Sequence, residues 1–377
     1  MIYFDNAASS EINPELIPVY SELLTKYYAN QGSSHKAGLE INRMVDQSRQ
    51  TILKTLGLGS DYQVVFTSGA TEANNLFLKG FIQAYPQRGN KIITSAGEHD
   101  SVLKTLQRMA SEMELNLVIL PLNEQGLINL SDLEEALDKE TILVSIMAVN
   151  NETGAISNLS AIRHIVSRFP KCVFHSDVTQ AIAKVDIDYT NVDALTFSAH
   201  KINGLKGSGA LILKKSLTIK PLFDGGIYEG GFRQGTPDSP KNILLAKTVQ
   251  LAMNGHQINH EKIREIKQKL LTFFNNHPQV IINSPRLASD YILSLSLVKH
   301  RASVIAQGLS NQGIMVSTTS ACSSKTHTAS HVIFAMFNDK KRAHEVLRLS
   351  FSPFNTLEEA DTFIRIFTQL LEEIHYE

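Results

Sequence analysis

Segments typical of strands and of helices alternate through the first two-thirds of this 377-residue chain. The strand-like segments are short apolar or β-branched runs, and they are predicted at 63–67, 91–95, 115–120, 142–149, 171–175 and 194–198. Helical patterns lie between several of them, and these are predicted at 72–85, 101–111, 131–138 and 160–168. Parallel strands need long crossover connections, which are usually helices. The alternation therefore predicts an α/β fold with a mainly parallel sheet covered by helices.

The character of the chain changes about two-thirds of the way along. A glycine-rich stretch over 224–235 interrupts the alternation, and a long helix is predicted to begin near Lys241. The pattern then becomes α+β, with two strands and a closing helix predicted at 291–297, at 346–351 and from Leu357 onward. We therefore expect a large domain over residues 12–255 and a small α+β domain formed by residues 1–11 and 256–377.

The charge and cysteine content exclude several classes of function. Lys and Arg number 36 and Asp and Glu number 37, which gives a formal net charge of −1. This balance provides neither a basic field for nucleic acid nor a polybasic membrane patch. The two cysteines, Cys172 and Cys322, are too few for a disulfide framework and lack the spacing of zinc ligands. Without a signal-peptide pattern or an apolar run that could span a bilayer, we expect a cytoplasmic protein with no metal site.

Two short motifs near the middle of the chain carry the clearest chemical signal. Asp177 opens the first, Asp-Val-Thr-Gln, and Lys201 closes the second, Ser-Ala-His-Lys. Each motif follows a strand-like run, and ligand-contacting groups lie at such strand ends in α/β folds. A lysine there can form a Schiff base with pyridoxal phosphate, while a carboxylate can keep the pyridine nitrogen protonated. A surface salt bridge is the alternative that these two residues alone leave open.

Three further polar motifs follow other predicted strands. A Thr-Ser-Gly-Ala-Thr-Glu run at 67–72 opens a helix, whose N-terminus could bind a phosphate group or simply carry a Ser/Thr cap. His99 could lie on a cofactor ring and move protons, or it could be a surface or capping residue. The Asn-Asn-Glu-Thr-Gly run at 150–154 could supply an amide to a cofactor oxygen, or form a turn. Because all these motifs follow strands, we expect them to meet at one edge of the sheet.

In their order along the chain, these motifs resemble those of cysteine desulfurases, which belong to the class V aminotransferases among the fold-type I pyridoxal phosphate enzymes. The likeness also includes Tyr-Phe-Asp-Asn-Ala-Ala at 3–8 and Arg-Leu-Ser at 348–350, so that it covers nearly the whole chain. It implies a fold-type I pyridoxal phosphate-dependent transferase, with a mainly parallel seven-stranded sheet in the large domain and a smaller α+β C-terminal domain. It also implies a homodimer with shared active sites.

The resemblance gives each matched residue an expected role. Lys201 resembles the Schiff-base lysine, Asp177 the partner of the pyridine nitrogen, and His99 the ring-stacking histidine that also helps in proton transfer. Asn151 and Gln180 are expected to place their amides near the phenolic oxygen of the cofactor, and Asn151 is also expected beside the substrate. The groups expected around the phosphate are those of Ala70, Thr71, Ser198 and His200. Thr236 resembles the threonine that reaches the phosphate of the other subunit. Arg348 resembles the arginine that grips the substrate carboxylate, a role that suits its two-pronged hydrogen bonding.

The two cysteines have different sequence surroundings. Cys172 precedes an apolar Val-Phe pair and is expected to be inert core packing. Cys322 lies in a run of small polar residues over 317–330 and matches the Ser-Ala-Cys pattern of the desulfurase nucleophile, although an unreactive loop thiol is the alternative interpretation. The resemblance implies that L-cysteine is converted to L-alanine while its sulfur passes to Cys322 as a persulfide. A sulfur-acceptor protein would then take the sulfur for iron–sulfur cluster assembly, tRNA thiolation or cofactor sulfuration.

Other functions compete with this interpretation. A selenocysteine lyase or another class V aminotransferase activity would share the fold and the cofactor, but transamination needs no cysteine. The intact set of expected catalytic residues argues against a non-enzymatic scaffold. The sequence departs from the usual family pattern at Leu205, Ile227, Tyr228 and Thr319. These departures leave every expected catalytic group in place, and they bear on the rate and the substrate preference.

Overall fold

The computed structural model of the protein describes residues 1–318 and 329–373. Twelve β-strands lie within these residues: β1 (Ile2–Tyr3), β2 (Tyr62–Thr67), β3 (Lys91–Ser95), β4 (Asn116–Leu120), β5 (Thr141–Ser145), β6 (Val173–Asp177), β7 (Ala194–Ser198), β8 (Gly209–Lys214), β9 (Val280–Ile282), β10 (Ile292–Leu297), β11 (Ile314–Met315) and β12 (Val346–Ser350).

The same residues contain twelve α-helices: α1 (Leu16–Lys26), α2 (Lys36–Thr55), α3 (Ala70–Ala84), α4 (Asp100–Met113), α5 (Leu130–Ala136), α6 (Leu159–Val166), α7 (Ser239–Asn254), α8 (His256–Phe274), α9 (Ala302–Asn311), α10 (His331–Phe337), α11 (Lys340–His344) and α12 (Leu357–Glu373). None of these described helices combines the length and the apolar character that a membrane crossing requires.

The largest sheet has seven strands in the order β2-β8-β7-β6-β5-β3-β4. Strands β3 to β7 pair in parallel, whereas β8 pairs antiparallel with both of its neighbours, β2 and β7. Only β8 therefore runs against the direction of the other six strands. This arrangement confirms the expected α/β fold with a mainly parallel seven-stranded sheet. The sequence patterns predicted six of these strands directly, and β8 is the one that they did not.

Helices cover both faces of this sheet, because side chains that alternate along its strands enter two separate cores. Ile92 of β3 packs in one core with Phe77 of α3, and the next residue, Ile93, packs in the other core with Val45 of α2. Every residue of β5, β6 and β7 is buried. Such continuous burial is typical of parallel strands that are covered on both faces.

A second sheet and core occupy the C-terminal part of the chain. The strands of this sheet run antiparallel in the order β12-β10-β9, and helices α8, α9 and α12 pack around them. The core contains Phe274, Phe363 and Phe367, together with Phe4 from the N-terminal segment. Strand β1 also pairs in parallel with β11, so the first residues join this C-terminal unit. The exact division at residues 12 and 255 stays a prediction.

Several element boundaries differ from those predicted, including those of β6, of β5 and of the helix after the glycine-rich stretch. β6 continues to Asp177, because this residue still pairs in register with Thr196 of β7. β5 ends at Ser145 rather than at Val149, although the chain beyond it continues to bond to the end of β6. The long helix predicted after the glycine-rich stretch is divided at Gly255 into α7 and α8. The first difference places the Asp177 carboxylate at the very edge of the sheet.

Candidate active site

A pocket of about 210 Å³ lies at the carboxyl edge of the parallel strands. β6 and β7 end at its wall, and the loops that follow β2, β3 and β5 complete it. Ten of the predicted site residues line this pocket: Ala70, Thr71, His99, Asn151, Asp177, Gln180, Ser198, His200, Lys201 and Arg348. The other lining residues are Ala7, Ala8, Ser101, Met147, Val149 and Thr179. Motifs from distant parts of the sequence thus meet where α/β sheets usually bind ligands.

Two predicted site residues are not among those that line the pocket. Thr236 is exposed in the segment before α7. The role expected for it concerns the site of another subunit and stays a prediction. Cys322 lies outside the described residues, as does Thr319.

The Asp177 carboxylate is buried and held by two N–H donors. Its Oδ1 accepts a hydrogen bond from the main-chain amide of Thr179 at 3.0 Å. Its Oδ2 accepts one from Asn74 Nδ2 at 2.8 Å. Because one donor belongs to the following turn and the other to helix α3, the carboxylate is fixed from two directions.

Lys201 closes a short 3-10 turn that directly follows β7. Its Nζ donates to the main-chain oxygens of Ala7 and Ala8, the second at 2.7 Å. The N-terminal segment reaches this position because the amide of Ser10 bonds to the main-chain oxygen of His200 at 2.8 Å. The lysine amino group is therefore held inside the pocket by main-chain oxygens.

Gln180 lies beside this lysine and is oriented by a second, buried lysine. Gln180 Nε2 donates to the main-chain oxygen of Ala7 at 3.0 Å, while its Oε1 accepts from Lys184 Nζ at 2.8 Å. Burial lowers the pKa of Lys184 to about 7, and the positive charges of Lys201 and Arg348 add to the shift. Sequence reasoning missed Lys184, although a lysine one helical turn after Gln180, among apolar residues, was a visible signal.

The end of the pocket near α3 has the features of an anion site. The Ala70 amide, in the first turn of α3, donates to Ser198 Oγ at 2.7 Å. Gly69 has a φ of 149°, and a Cβ there would lie 3.1 Å from Ser198 Oγ, so glycine permits this close approach. His200 Nδ1 is buried and has no hydrogen-bond partner among the described residues. Burial lowers the pKa of His200 to about 4, so that its ring is neutral at physiological pH.

His99 caps a helix and lines the pocket at the same time. It is the N-cap residue of α4, and its Nδ1 accepts a hydrogen bond from the Ser101 amide at 3.1 Å. The Ser101 hydroxyl lies 2.8 Å from the same nitrogen. Because Nδ1 acts as an acceptor, the proton of the neutral ring lies on Nε2. His99 is therefore a capping residue and a residue of the pocket wall at once, so the two interpretations that its sequence left open are compatible.

Arg348 brings the C-terminal sheet to the pocket. It lies in β12 with only 2% of its surface exposed. Its Nη1 donates to the main-chain oxygen of Asn151 at 2.9 Å, and its Nη2 forms an ion pair with Asp5 Oδ1 at 2.9 Å. These contacts orient a buried guanidinium at the wall of the pocket, where a planar fork suits a carboxylate ligand.

Glu98 is a second buried group, after Lys184, to which sequence reasoning assigned no role. Its side chain is completely buried, and this burial raises its pKa to about 8. Oε1 accepts hydrogen bonds from Ser95 Oγ at 2.8 Å and from the Met147 amide at 2.9 Å. Glu98 therefore ties the loop after β3 to the loop after β5, directly behind His99.

Neither a metal centre nor a reactive core thiol is present in the described part of the chain. No cluster of three or more His, Cys, Asp or Glu side chains could hold a metal ion within residues 1–318 and 329–373. Cys172 is buried in the core next to α6, and burial raises the pKa of its thiol to about 12. A thiol that stays protonated in the core is a poor nucleophile.

The chain is similar to known proteins over nearly its full length. Residues 2–363 match the family model described as aminotransferase class-V. A NifS/IcsS protein homolog from Lactobacillus delbrueckii subsp. bulgaricus is 37% identical, over 99% of this chain and 97% of that protein. A cysteine desulfurase IscS from Clostridium botulinum is 32% identical, over 99% of this chain and 94% of that protein.

Solved structures show the same similarity. A NifS-like protein superposes with a TM-score of 0.91 at 30% identity, covering 99% of this chain and 100% of the other. The structure of SspA in complex with cysteine superposes with a TM-score of 0.81 at 28% identity, covering 94% of this chain and 100% of the other.

Proposed function

Because the chain belongs to the class V aminotransferase family, we propose that it is a pyridoxal phosphate-dependent cysteine desulfurase. It would convert L-cysteine to L-alanine and transfer the sulfur to Cys322 as a persulfide. The observation that carries this proposal is the meeting of Asp177, Lys201 and Arg348 in one pocket. An acid, a lysine and a carboxylate-binding arginine are the groups that pyridoxal phosphate chemistry on an amino acid needs. Relatives named cysteine desulfurase support the choice of substrate.

The pocket has groups suited to both ends of pyridoxal phosphate. The Asp177 carboxylate would face the pyridine nitrogen, and Lys201 would carry the cofactor aldehyde. Ala70, Thr71, Ser198 and His200 would surround the phosphate at the start of α3, where the helix dipole favours negative charge. His200 Nδ1 and Thr179 Oγ1 are buried at the pocket without a hydrogen-bond partner among the described residues, as expected of groups that a ligand completes. When bound, the cofactor would supply an electron sink for the substrate Cα.

Each residue of the chain would then have a distinct task. Arg348 would bind the substrate carboxylate, with Asn151 beside it. Lys201 would remove the proton from the substrate Cα, and His99 would assist proton transfer. The Cys322 thiolate would attack the substrate sulfur, so that an S–S bond forms as the C–S bond breaks. The Cβ left behind would take up a proton, and Lys201 would return a proton to Cα, so that alanine is released. The displaced sulfur would stay on Cys322 as a persulfide.

The expected partners follow from the same proposal. The persulfide would pass to a sulfur-acceptor protein for iron–sulfur cluster assembly, tRNA thiolation or cofactor sulfuration. Thr236 would complete the phosphate site of a second subunit, so the working enzyme would be a homodimer. We place it in the cytoplasm, because a chain with only two cysteines suits a reducing compartment.

The proposal is tested by L-alanine formation from L-cysteine, in the presence of pyridoxal phosphate and a reducing thiol. Wild type should turn over, and Cys322→Ser should bind the cofactor but form no alanine. The matched control is Cys172→Ser, which changes a buried thiol and should leave turnover intact. Equal activity of Cys322→Ser and wild type would contradict the persulfide role. Alanine release from selenocysteine but not from cysteine would favour a selenocysteine lyase instead.

A further inference from the structure

We propose that Asn74 is a positioning residue that orients the Asp177 carboxylate toward the ring nitrogen of the cofactor. Asn74 lies in α3, beneath the pocket, and is not one of its lining residues. This inference rests on the proposed function, since it concerns how the chain binds pyridoxal phosphate. It assigns a task to a residue that touches neither cofactor nor substrate.

The side chain of Asn74 is fully buried, and each of its polar atoms has a partner. One hydrogen of Nδ2 is donated to Asp177 Oδ2 at 2.8 Å, and the other to Ser101 Oγ at 2.9 Å. Oδ1 accepts a hydrogen bond from the hydroxyl of Thr196 in β7. The amide is thus fixed by α4 on one side and by β7 on the other, and its remaining N–H points at the carboxylate.

The orientation of this amide follows from the charge of its partner. An ionised carboxylate only accepts hydrogen bonds, so the nitrogen of the amide must face Asp177. The Asn74 oxygen is then left for Thr196, whose hydroxyl donates to it. Reversing the amide would place two acceptor oxygens against each other at a buried site, which is strongly unfavourable. Thr196 and Ser101 therefore fix the orientation of the Asn74 amide, and Asn74 in turn fixes the orientation of the Asp177 carboxylate.

Asn74 supplies the restraint that the main chain alone does not provide. Without it, Asp177 would keep one donor among the described residues, the amide of Thr179 on Oδ1. A carboxylate with a single donor can rotate about its Cβ–Cγ bond, whereas donors on both oxygens fix its plane. Each oxygen accepts through two lone pairs, so an oxygen bound once still has capacity for a protonated ring nitrogen. The geometry therefore favours a strong, directed contact between Asp177 and that nitrogen.

The inference is tested by comparing two ligands that differ only at the ring nitrogen. Pyridoxal phosphate and its deaza analogue, in which carbon replaces this nitrogen, are titrated into the full-length apoprotein of each variant. The dissociation constant of the analogue divided by that of pyridoxal phosphate measures the contact with Asp177. Asn74→Leu removes the donor and keeps the branched shape and the number of heavy atoms of the side chain. Ser145→Ala is the matched control. The Ser145 side chain is as fully buried as that of Asn74, but its hydroxyl bonds to His175 and not to Asn74.

We expect Asn74→Leu to weaken pyridoxal phosphate binding by about 10-fold and to leave the analogue nearly unaffected, since a charged acceptor loses its donor. Ser145→Ala should change neither constant. A double variant, Ser101→Ala with Thr196→Val, keeps Asn74 but removes the two hydroxyls that orient its amide. This variant should lower the ratio by about 3-fold. This double variant provides the test if Asn74→Leu does not fold.

The outcomes separate this inference from the proposed function. If Asn74→Leu weakens both ligands equally, or neither, its role is only structural and the inference is wrong, while the desulfurase proposal stands. If wild type binds neither ligand, the proposed function itself is contradicted. A lowered ratio in Asn74→Leu and in the double variant, with the control unchanged, supports the positioning role.

Discussion

At the scale of single residues, Arg348 shows how a buried charge is kept ready for a ligand. Asp5 and the main-chain oxygen of Asn151 each accept from one terminal nitrogen of its guanidinium. Its Nε makes no hydrogen bond to any of the described residues. A planar fork can keep both contacts and still present further N–H groups, whereas a lysine offers one compact point charge. The identity of this residue therefore matters more than its charge.

We expect Arg348→Lys to raise the KM for L-cysteine by about 10–100-fold, because the proposed two-pronged contact with the substrate carboxylate would be lost. The affinity for pyridoxal phosphate should stay unchanged, since Arg348 is not one of the expected cofactor contacts. Steady-state alanine formation and cofactor titration measure the two quantities. Arg365→Lys, at an exposed position of α12, is the matched control. An unchanged KM in Arg348→Lys would contradict the assigned role.

Glu98 couples the stability of the site to pH. Burial raises its pKa from 4.5 to about 8, so the folded protein retains a proton that the unfolded chain releases above pH 4.5. The stability contributed by this group is fully present below pH 4.5 and is lost as the pH rises toward 8. The loss arises because an ionised carboxylate would be buried with Oε2 lacking a partner among the described residues.

We expect Glu98→Gln to remove this pH dependence. Its amide oxygen can accept the same two hydrogen bonds, and its side chain stays neutral at every pH. The free energy of unfolding should match that of wild type near pH 5 and exceed it by about 1–3 kcal/mol near pH 8. Denaturant unfolding at the two pH values measures this difference. Glu135→Gln, at an exposed position, should show no such divergence, and parallel curves for Glu98→Gln and wild type would rule out the assignment.

At the scale of secondary-structure elements, the start of α3 depends on close contacts between neighbouring segments. Gly69 precedes the helix with a φ of 149°, a conformation that favours glycine. Gly209 of β8 lies against it, and a Cβ at Gly209 would come within 2.6 Å of the Gly69 Cα. The N-terminus of the helix therefore packs closely against β8 and Ser198. This contact fixes the position of its first-turn amides at the pocket.

Gly69→Ala should disturb this contact and the anion site together. We expect the affinity for pyridoxal phosphate to fall by about 10-fold or more, and the protein to lose about 1–3 kcal/mol of stability. Gly57→Ala is the control, because Gly57 also has a positive φ, 69°, but a Cβ there meets no atom within 4 Å. Both variants should lose stability through backbone strain, and only Gly69→Ala should lose cofactor affinity. An equal loss of affinity in both would contradict a local role for Gly69.

The elements that sequence patterns predicted best are the parallel strands and the motifs at their ends. These strands are rich in apolar and β-branched residues, because both faces of the sheet are covered, and their carboxyl ends must meet at one edge. β8 was not predicted, because its short Gly-to-Lys run follows directly on the lysine motif without a helix between them. Asn74 was missed for another reason: its partner, Asp177, lies far away in the sequence, and no local pattern marks such a buried polar contact. Lys184 lies only four residues after its partner, Gln180, so its local signal was present and was overlooked.

At the scale of the whole molecule, the pocket joins two separately packed units. Asp177 ends β6 of the large sheet and Lys201 lies in the turn that follows β7, while Arg348 belongs to the C-terminal sheet. The N-terminal segment links them, since Asp5 forms a bridge with Ser350 and an ion pair with Arg348. Relative movement of the two units would therefore change the distance from Asp177 and Lys201 to Arg348, the proposed ligand of the substrate carboxylate.

The segment that contains Thr236 has exposed apolar side chains that the proposed homodimer would cover. Thr236 is exposed, and two large apolar side chains nearby in the sequence, Phe223 and Ile227, are 55% and 87% exposed. Exposed apolar side chains close together are typical of interaction surfaces. If Thr236 completes the phosphate site of a second subunit, each site of the dimer would draw on both chains.

A subunit-mixing experiment tests this arrangement directly. Lys201→Ala and Thr236→Asp should each be inactive alone, the second because it places a negative charge beside the cofactor phosphate. In a heterodimer of the two variants, one site would combine an intact Lys201 with an intact Thr236 from the other chain. Random reassociation of an equal mixture would leave about a quarter of all sites intact, and we expect alanine formation near that fraction of the wild-type rate. If Thr236 instead served its own chain, no heterodimer site would be intact and the mixture would stay inactive. Sedimentation of the mixture confirms that dimers have re-formed in either case.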